Sequence, residues 1–267
     1  MTFDDGPSEN IGTLLGILSS RNVKATFHFT TQYLTDPNVQ QTVRNVVAAG
    51  HLVGLRSETA WNLMSMTSAE ITSSVQRVAN VMAQFTGYKP AFMRLPYGGF
   101  DDRVVAAVEA AGMTITVQNL DSYDYSQTDP NKVYSNFELA LALVGDAQGN
   151  FISVQHDGVP ASVSATGKII DLILSKKYNI VKLDACVGKS GIGSNTGVIV
   201  GGGSSSSTAT SAPTNSGGSG TTGGSGTTGG SGTTGGSSTS GAQSNYVVGL
   251  ALTQIVLGLI GYSLFAF

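Results

Sequence analysis

The segment TFDDGP, residues 2–7, places two adjacent carboxylates, Asp4 and Asp5, in front of a Gly-Pro turn. Gly6-Pro7 breaks any preceding strand, so both acids are expected at the carboxyl end of the first strand. Adjacent acids repel each other, and a metal ion or a cationic side chain usually compensates such a pair. The alternative interpretation is a solvated Asp-Asp-Gly turn, because such turns are common.

Strand and helix patterns alternate from this segment onward. Apolar runs favour strands at KATFHFT (24–30), HLVG (51–54), FMRL (92–95), MTITVQN (113–119), FISVQ (151–155) and NIVKL (179–183). Helical patterns cover SENIGTLLGILSSRN (8–22), PNVQQTVRNVVAAG (37–50), TSAEITSSVQRVANVMAQFTG (67–87), DDRVVAAVEAAG (101–112) and the regions near 131–144 and 165–177. Ser8 is predicted to cap the first helix, and Thr67 and Glu70 form a capping-box pattern that starts the third.

This alternation predicts an α/β domain with a parallel sheet, either a (β/α) barrel or a doubly wound sheet. In barrels the chemistry gathers where strands end and loops begin. Polar residues lie at such ends in four places, namely Asp4-Asp5, Arg94, Asn119 to Asp124 and His156-Asp157. Their convergence at one face favours a functional site over a solvated turn.

Composition divides the chain into three parts, predicted as a domain at 1–188, a linker at 189–245 and a tail at 246–267. The linker is almost entirely Gly, Ser and Thr, with GGSGTT repeated at 217–222, 223–228 and 229–234. It lacks the side chains of a core and is typical of a flexible tether, whose hydroxyl groups could carry O-linked sugars.

The tail YVVGLALTQIVLGLIGYSLFAF has no charged residue and is long enough to cross a bilayer. Small residues and a short polar spacer precede it, which is typical of a glycosylphosphatidylinositol anchor signal. Ser240 is the predicted attachment residue, with Ser237, Ser238 and Gly241 as competitors. A tail-anchored membrane protein is the alternative.

An anchor of this kind requires secretion, yet the sequence shows no signal peptide. We therefore expect residues upstream of Met1, a first strand truncated at its amino end, and a protein held at the outer face of the plasma membrane or in the cell wall. Cys186, the single cysteine, is either short of a partner or a lone buried thiol. The net charge of −3 gives no basic surface for nucleic acid.

Four segments carry a resemblance to a known family. TFDDGP, RLPYG (94–98), LDSYDY (120–125) and ISVQHD (152–157) are similar, in order, to motifs of the polysaccharide deacetylases of the NodB-homology type, which include chitin deacetylases. The resemblance covers residues 1–188, with Tyr125 where tryptophan is usual. It implies a distorted (β/α) barrel with a groove for a sugar polymer.

The resemblance also implies a role for each residue type. Such enzymes remove an acetyl group from chitin or a related polymer with water activated by Zn²⁺ or another divalent metal. Asp4 would be the general base, Asp5 a metal ligand, and Arg94 the partner of Asp4. His156 would be the general acid, tuned by Asp121 or Asp124. The backbone N–H of Tyr97 would hold the oxyanion, and Tyr125 would line the sugar groove.

The second motif departs from the family pattern, which has two histidines four residues apart as a metal clamp. In GHLVGLRSETAWNL (50–63), aligned on its Gly-His and following Gly, the two ligand positions are Arg56 and Ala60. His51 is the Gly-His residue and His28 lies in the second strand, so the three histidines of the chain offer no substitute pair. Arg56 places a permanent cation where the metal would lie, and it could neutralise Asp4 and Asp5 without metal.

Three functions therefore stay open. The family function, hydrolysis of the N-acetyl amide of a cell-surface polymer of N-acetylglucosamine, would need Asp4, Asp5 and Glu58 to form an unusual metal site. A metal-free relative would bind the polymer through Tyr97 and Trp61 without cleaving it, although Trp61 is equally suited to core packing. A structural surface glycoprotein would do neither.

Overall fold

A computed structural model describes residues 1–58, 61–95, 99–144 and 149–193 of the chain. Its strands are β1 (Thr2–Gly6), β2 (Thr26–Phe29), β3 (Leu52–Arg56), β4 (Lys89–Pro90), β5 (Phe92–Arg94), β6 (Thr114–Ile115), β7 (Leu120–Asp121), β8 (Ser153–His156) and β9 (Ile192–Gly193). Its helices are α1 (Ile11–Ser20), α2 (Pro37–Ala48), α3 (Ser68–Thr86), α4 (Asp102–Ala110), α5 (Pro130–Val144), α6 (Pro160–Ser175) and α7 (Leu183–Val187). Short 3-10 helices cover Leu63–Ser65 and Asp124–Ser126.

Seven strands form one parallel sheet in the order β6-β5-β3-β2-β1-β8-β7. The sheet curls into a half-barrel, which confirms the predicted α/β barrel class. Within the described ranges, β6 and β7 are its two edges, and β1 is an interior strand between β2 and β8. A separate antiparallel pair, β4 with β9, lies outside this sheet.

The main core lies between the sheet and its covering helices. Phe3, Phe27 and Phe29 are fully buried, and the Phe3 and Phe27 rings stack with their centroids 5.3 Å apart. Because residues of a parallel strand are buried on both faces, β2 is buried along its whole length. Strand β1, which carries Asp4 and Asp5, therefore lies against a closely packed neighbour in β2.

The predicted amino-terminal cap is found at α3 but not at α1. Thr67 and Glu70 form the predicted reciprocal capping box of α3, and the helix ends at Gly87, which has a φ of 77°. Ser8 is not the cap of α1, because that helix begins after Asn10. The Ser8 hydroxyl instead donates to the Asp157 carbonyl and accepts from the Asn10 N–H.

The predicted strand NIVKL does not form. Residues 179–182 have no regular structure, and Leu183 instead begins α7, where its N–H donates to the hydroxyl of Thr26. Ile180 packs against the main core and Leu183 is buried in a smaller cluster, so the apolar side chains of this run are covered without strand pairing. A short apolar run does not by itself distinguish the two outcomes.

The predicted linker and tail lie almost wholly outside the described residues, as do Ala60, Tyr97 and Ser240. β9 pairs with β4 a few residues beyond position 188, where the predicted domain ends. In the part of the chain that is described, no helix has both the length and the apolar surface needed to span a membrane.

Candidate active site

The register of the sheet sets three site residues side by side at the carboxyl ends of the strands. Asp4 of β1 is aligned with His28 of β2 on one side and with His156 of β8 on the other. Arg56 of β3 is aligned in the same way with Arg94 of β5. Strand pairing alone therefore gathers the acids, the imidazoles and both guanidinium groups at one face.

Asp4 is a buried carboxylate held by two donors. Its Oδ1 accepts from Nδ1 of His28 and from Nη1 of Arg94, each at 3.0 Å. Burial raises the pKa of Asp4, but the charge of Arg94 and the His28 hydrogen bond outweigh it and hold the pKa well below its usual range. Asp4 is thus a fixed anion with little tendency to take up a proton.

Arg94 is buried and makes the predicted contact with Asp4. Its Nη1 also donates to the hydroxyl of Thr2 at 2.6 Å, and this hydroxyl donates to the Ser153 carbonyl. Burial lowers the pKa of Arg94, and the nearby Asp4 charge opposes that shift. The pair therefore joins β1, β5 and β8 beneath the site.

His28 is a site residue that the sequence analysis left in the second strand without a role. Burial, with the charge of Arg94, lowers its pKa to about 4, so the neutral imidazole donates from Nδ1 to Asp4. Its Nε2 lies 3.2 Å from the Thr116 hydroxyl, which can donate to it. Gly54 makes room for the ring, because a Cβ there would lie 2.9 Å from Cδ2 of His28. A lone histidine in an apolar strand beside paired acids was the available signal.

Asp5 and Arg56 form an ion pair at the mouth of the site. Asp5 interrupts the pairing of β1 with a left-handed backbone (φ 68°), and its carboxylate is about half exposed. Nε of Arg56 lies 2.6 Å from Oδ1 of Asp5 and 3.8 Å from Oδ2 of Asp4. The guanidinium thus contacts both carboxylates, as the sequence analysis considered.

The described residues do not fit a divalent metal. They contain no group of three His, Cys, Asp or Glu side chains arranged to hold one. A guanidinium has no lone pair to offer, and it already occupies one oxygen of Asp5, the predicted ligand. Glu58 accepts a hydrogen bond from the Thr31 hydroxyl. Ala60, the other position of the motif, is not among the described residues.

His156 and Asp124 form the opposite half of the site. Asp124 is fully buried and accepts from both the Nδ1 and the backbone N–H of His156, at 2.7 and 2.6 Å. Burial lowers the pKa of His156, but the Asp124 hydrogen bond and charge outweigh it, so the pKa is raised overall. Nε2 of His156 points towards Asp5, whose Oδ2 lies 3.6 Å away. This imidazole is placed to give up a proton in the cleft.

Asp121 and Asp124, the two predicted partners of His156, accept hydrogen bonds from different groups. Asp121 does not contact the imidazole; its Oδ1 accepts from the N–H of Tyr123 at 2.8 Å. Asp124 is the direct partner. Tyr125 packs the edge of its ring against His156, with centroids 5.9 Å apart, and is exposed to solvent. Trp61 is only partly exposed and packs against the main core.

Asp157, which the sequence places beside His156 without a role, is a third buried acid of the site. Its Oδ2 accepts from the Ser8 N–H, and a Cβ on Gly6 would lie within 1.9 Å of that oxygen. Burial, with the charges of Asp5 and Asp4, raises the pKa of Asp157 to about 7. The carboxyl therefore packs directly beneath the turn that follows the paired acids.

Comparison with known proteins identifies the class to which this fold and site belong. The family model described as polysaccharide deacetylase matches residues 1–116. A chitin deacetylase of Colletotrichum lindemuthianum is 31% identical over 194 residues, which cover 70% of this chain and 78% of the relative. The chain therefore belongs to the polysaccharide deacetylase family.

Solved structures agree with this assignment. The chitin deacetylase structure from Colletotrichum lindemuthianum matches with a TM-score of 0.66 and 30% identity, over 71% of this chain and 86% of that chain. A peptidoglycan N-acetylglucosamine deacetylase structure matches with a TM-score of 0.63 and 25% identity, over 72% and 88% of the two chains. The family is generally metal-dependent, whereas the described residues of this member present no metal site.

Proposed function

We propose that this protein binds an N-acetylated polysaccharide, of the class that includes chitin, in the family groove and no longer performs metal-dependent deacetylation. The observation that carries the proposal is the 2.6 Å contact between Nε of Arg56 and Oδ1 of Asp5. A cation that is part of the chain satisfies the acid that would otherwise bind a metal. The relatives described above, a chitin deacetylase and a peptidoglycan N-acetylglucosamine deacetylase, support an N-acetylated polysaccharide as the ligand.

The state of Asp4 supports the same proposal. A general base works best when its pKa lies near the working pH. Two guanidinium groups and the His28 imidazole surround Asp4 and hold its pKa far below that range. Without a metal to acidify the attacking water, the described residues offer no strong means of generating hydroxide.

The test measures metal content, polymer binding and acetate release on one preparation of the full chain. We expect binding of N-acetylglucosamine hexamer, less than stoichiometric Zn²⁺, Co²⁺ or Mn²⁺, and no acetate. Replacing both positions of the second motif, Arg56→His with Ala60→His, should restore metal uptake and acetate release. Adding Asp4→Asn to that variant is the control and should abolish release again. Stoichiometric metal with acetate release by the wild type would overturn the proposal.

A second candidate, metal-independent hydrolysis, is favoured by the intact His156–Asp124 pair. The raised pKa of His156 suits an acid that protonates a leaving amine near neutral pH. Slow acetate release without bound metal, lost in His156→Gln, would support this candidate over pure binding. The family function with an unusual metal site, and a purely structural surface glycoprotein, are the other outcomes that the same measurements distinguish.

We also propose that the protein is secreted and anchored by lipid at the outer face of the plasma membrane or in the cell wall. The support is the sequence of the Gly/Ser/Thr linker and the uncharged tail at 246–267, with Ser240 as the attachment residue. Release of the protein from cells by a phosphatidylinositol-specific phospholipase, lost in a variant with bulky residues at 240–242, tests this. Retention after phospholipase treatment would favour a membrane-spanning tail.

A further inference from the structure

The loop that follows β7 carries two exposed tyrosines beside His156. Tyr123 is 40% exposed and Tyr125 is 60% exposed, and their ring centroids lie 6.1 Å apart with the planes inclined at 55°. Tyr125 contacts the His156 ring edge-on. The loop thus presents two aromatic rings to solvent, next to the atom that would meet a leaving group.

Tyr123 is held in this position by an unfavourable backbone. Its φ of 52° lies in the left-handed region, which costs a residue other than Gly or Asn roughly 1 kcal/mol. The turn is fixed on both sides, since the Tyr123 N–H donates to Asp121 and its carbonyl accepts from the N–H and hydroxyl of Ser126. Gly or Asn would satisfy the turn better, so the reason for tyrosine lies in its ring.

The ring of Tyr123 is not needed by the core of the domain. Tyr123 is absent from all three hydrophobic clusters of the described residues, whereas Leu120 just before it is buried in one of them. Exposed aromatic rings held on strained backbone are typical of ligand contacts, because they offer a rigid apolar face with a polar hydroxyl group. The ligand that suits such a pair next to this site is a sugar ring, which has an apolar C–H face and hydroxyl groups at its rim.

We propose that Tyr123, together with Tyr125, forms a sugar-binding platform for the pyranose that lies on the His156 side of the groove. The proposal rests on the proposed function, since it names a contact of the same polymer. The platform lies on one side of the catalytic face only, next to β8. It therefore adds a sugar contact on that side of the site, and Tyr123 contributes to polymer affinity.

The test replaces the ring and keeps the turn. Tyr123→Asn removes the aromatic face but retains a residue that tolerates the left-handed backbone. Isothermal titration of the full chain with N-acetylglucosamine hexamer should show about a tenfold loss of affinity, the effect of losing one good aromatic contact. Tyr123→Trp should keep the wild-type affinity. Tyr134→Ala, at a partly exposed tyrosine on the outer helix α5, is the matched control and should also leave it unchanged.

A length series separates this inference from the proposed function. Tyr123→Asn should lose the gain in affinity between shorter and longer N-acetylglucosamine oligomers, because one sugar position no longer has its platform. Hexamer binding that is equal in wild type and Tyr123→Asn would overturn the platform and leave the proposed function standing. Absence of binding by the wild type would overturn both.

Discussion

The two halves of the site differ in how their charges are held. On the β8 side, His156 and Asp124 form a short pair in which one partner is buried and the other opens to the cleft. On the β1 side, Asp4 and Asp5 are tied to Arg94 and Arg56. The first half keeps a proton ready for transfer, whereas the second has every charge matched within the chain. The two halves meet where Nε2 of His156 lies 3.6 Å from Oδ2 of Asp5, so a change of charge in one half also reaches the other.

The largest effect on stability should come from removing the counter-charge of Asp4 on the β1 side of the site. Arg94→Met removes the main counter-charge of Asp4 and should lower the free energy of unfolding by about 3–5 kcal/mol, as expected when a buried ion loses its partner. Urea unfolding followed by circular dichroism measures this loss. The control is Arg21→Met, which breaks an exposed pair with Asp171 and should change little. Equal losses in the two variants would contradict the contrast.

A smaller loss should follow when the space around His28 is filled. Gly54→Ala places a Cβ 2.9 Å from the imidazole and 3.0 Å from the Phe92 carbonyl, which should cost about 1–3 kcal/mol. Thermal unfolding measures the change. Gly12→Ala is the matched control in α1, where a Cβ meets nothing within 4 Å, and it should stabilise by up to about 1 kcal/mol. A neutral Gly54→Ala would mean that His28 is not confined.

The His156–Asp124 pair on the β8 side can be tested through the pKa of His156. Asp124→Asn removes the charge that stabilises the imidazolium, so the pKa of His156 should fall. Nuclear magnetic resonance titration of the histidine rings measures it. The resonance of His51, whose pKa burial lowers to about 4, is an internal control because it lies at the other end of β3. An unchanged His156 pKa would remove Asp124 as its partner.

Asp157 gives the smallest and most pH-dependent effect. The pKa of Asp157 is about 7 in the folded state and 3.8 for an unperturbed Asp side chain, so between these values the folded state binds a proton that the unfolded state has released. Stability from this group is therefore lost as the pH rises through that window. Asp157→Asn removes this pH dependence, so its stability relative to wild type should rise steadily from pH 4 to pH 8. The unpaired N–H group of Asn adds a loss of about 1–3 kcal/mol that is the same at both pH values. Melting curves across pH measure the difference, and a relative stability that does not rise with pH would contradict it.

Much of the site could be predicted because parallel strands end at one face. Asp4, Arg94, Asp124 and His156 follow apolar runs in the sequence, and pairing of those runs sets them together. The position of Arg56 was also predictable, since it follows the third strand. The roles assigned to these residues, and the metal site itself, stay predictions.

The sequence did not predict which side chains contact each other between neighbouring strands. The contact between His28 and Asp4 is created by the register of β1 with β2, and no recognisable sequence motif marks it. Burial of Asp157 depends on the turn at Gly6, which lies about 150 residues earlier in the chain. The strand predicted at 179–183 does not form, because a short apolar run can bury its side chains without pairing. These outcomes are set by packing between segments distant in sequence.

The Arg56–Asp5 ion pair has a consequence for where such a protein can work. A metal centre depends on the surroundings for its ion and empties when acid protonates its ligands. A guanidinium is part of the chain and keeps its charge at every pH at which proteins stay folded. The cleft of this protein therefore keeps a positive charge beside its acids without drawing any ion from the surroundings.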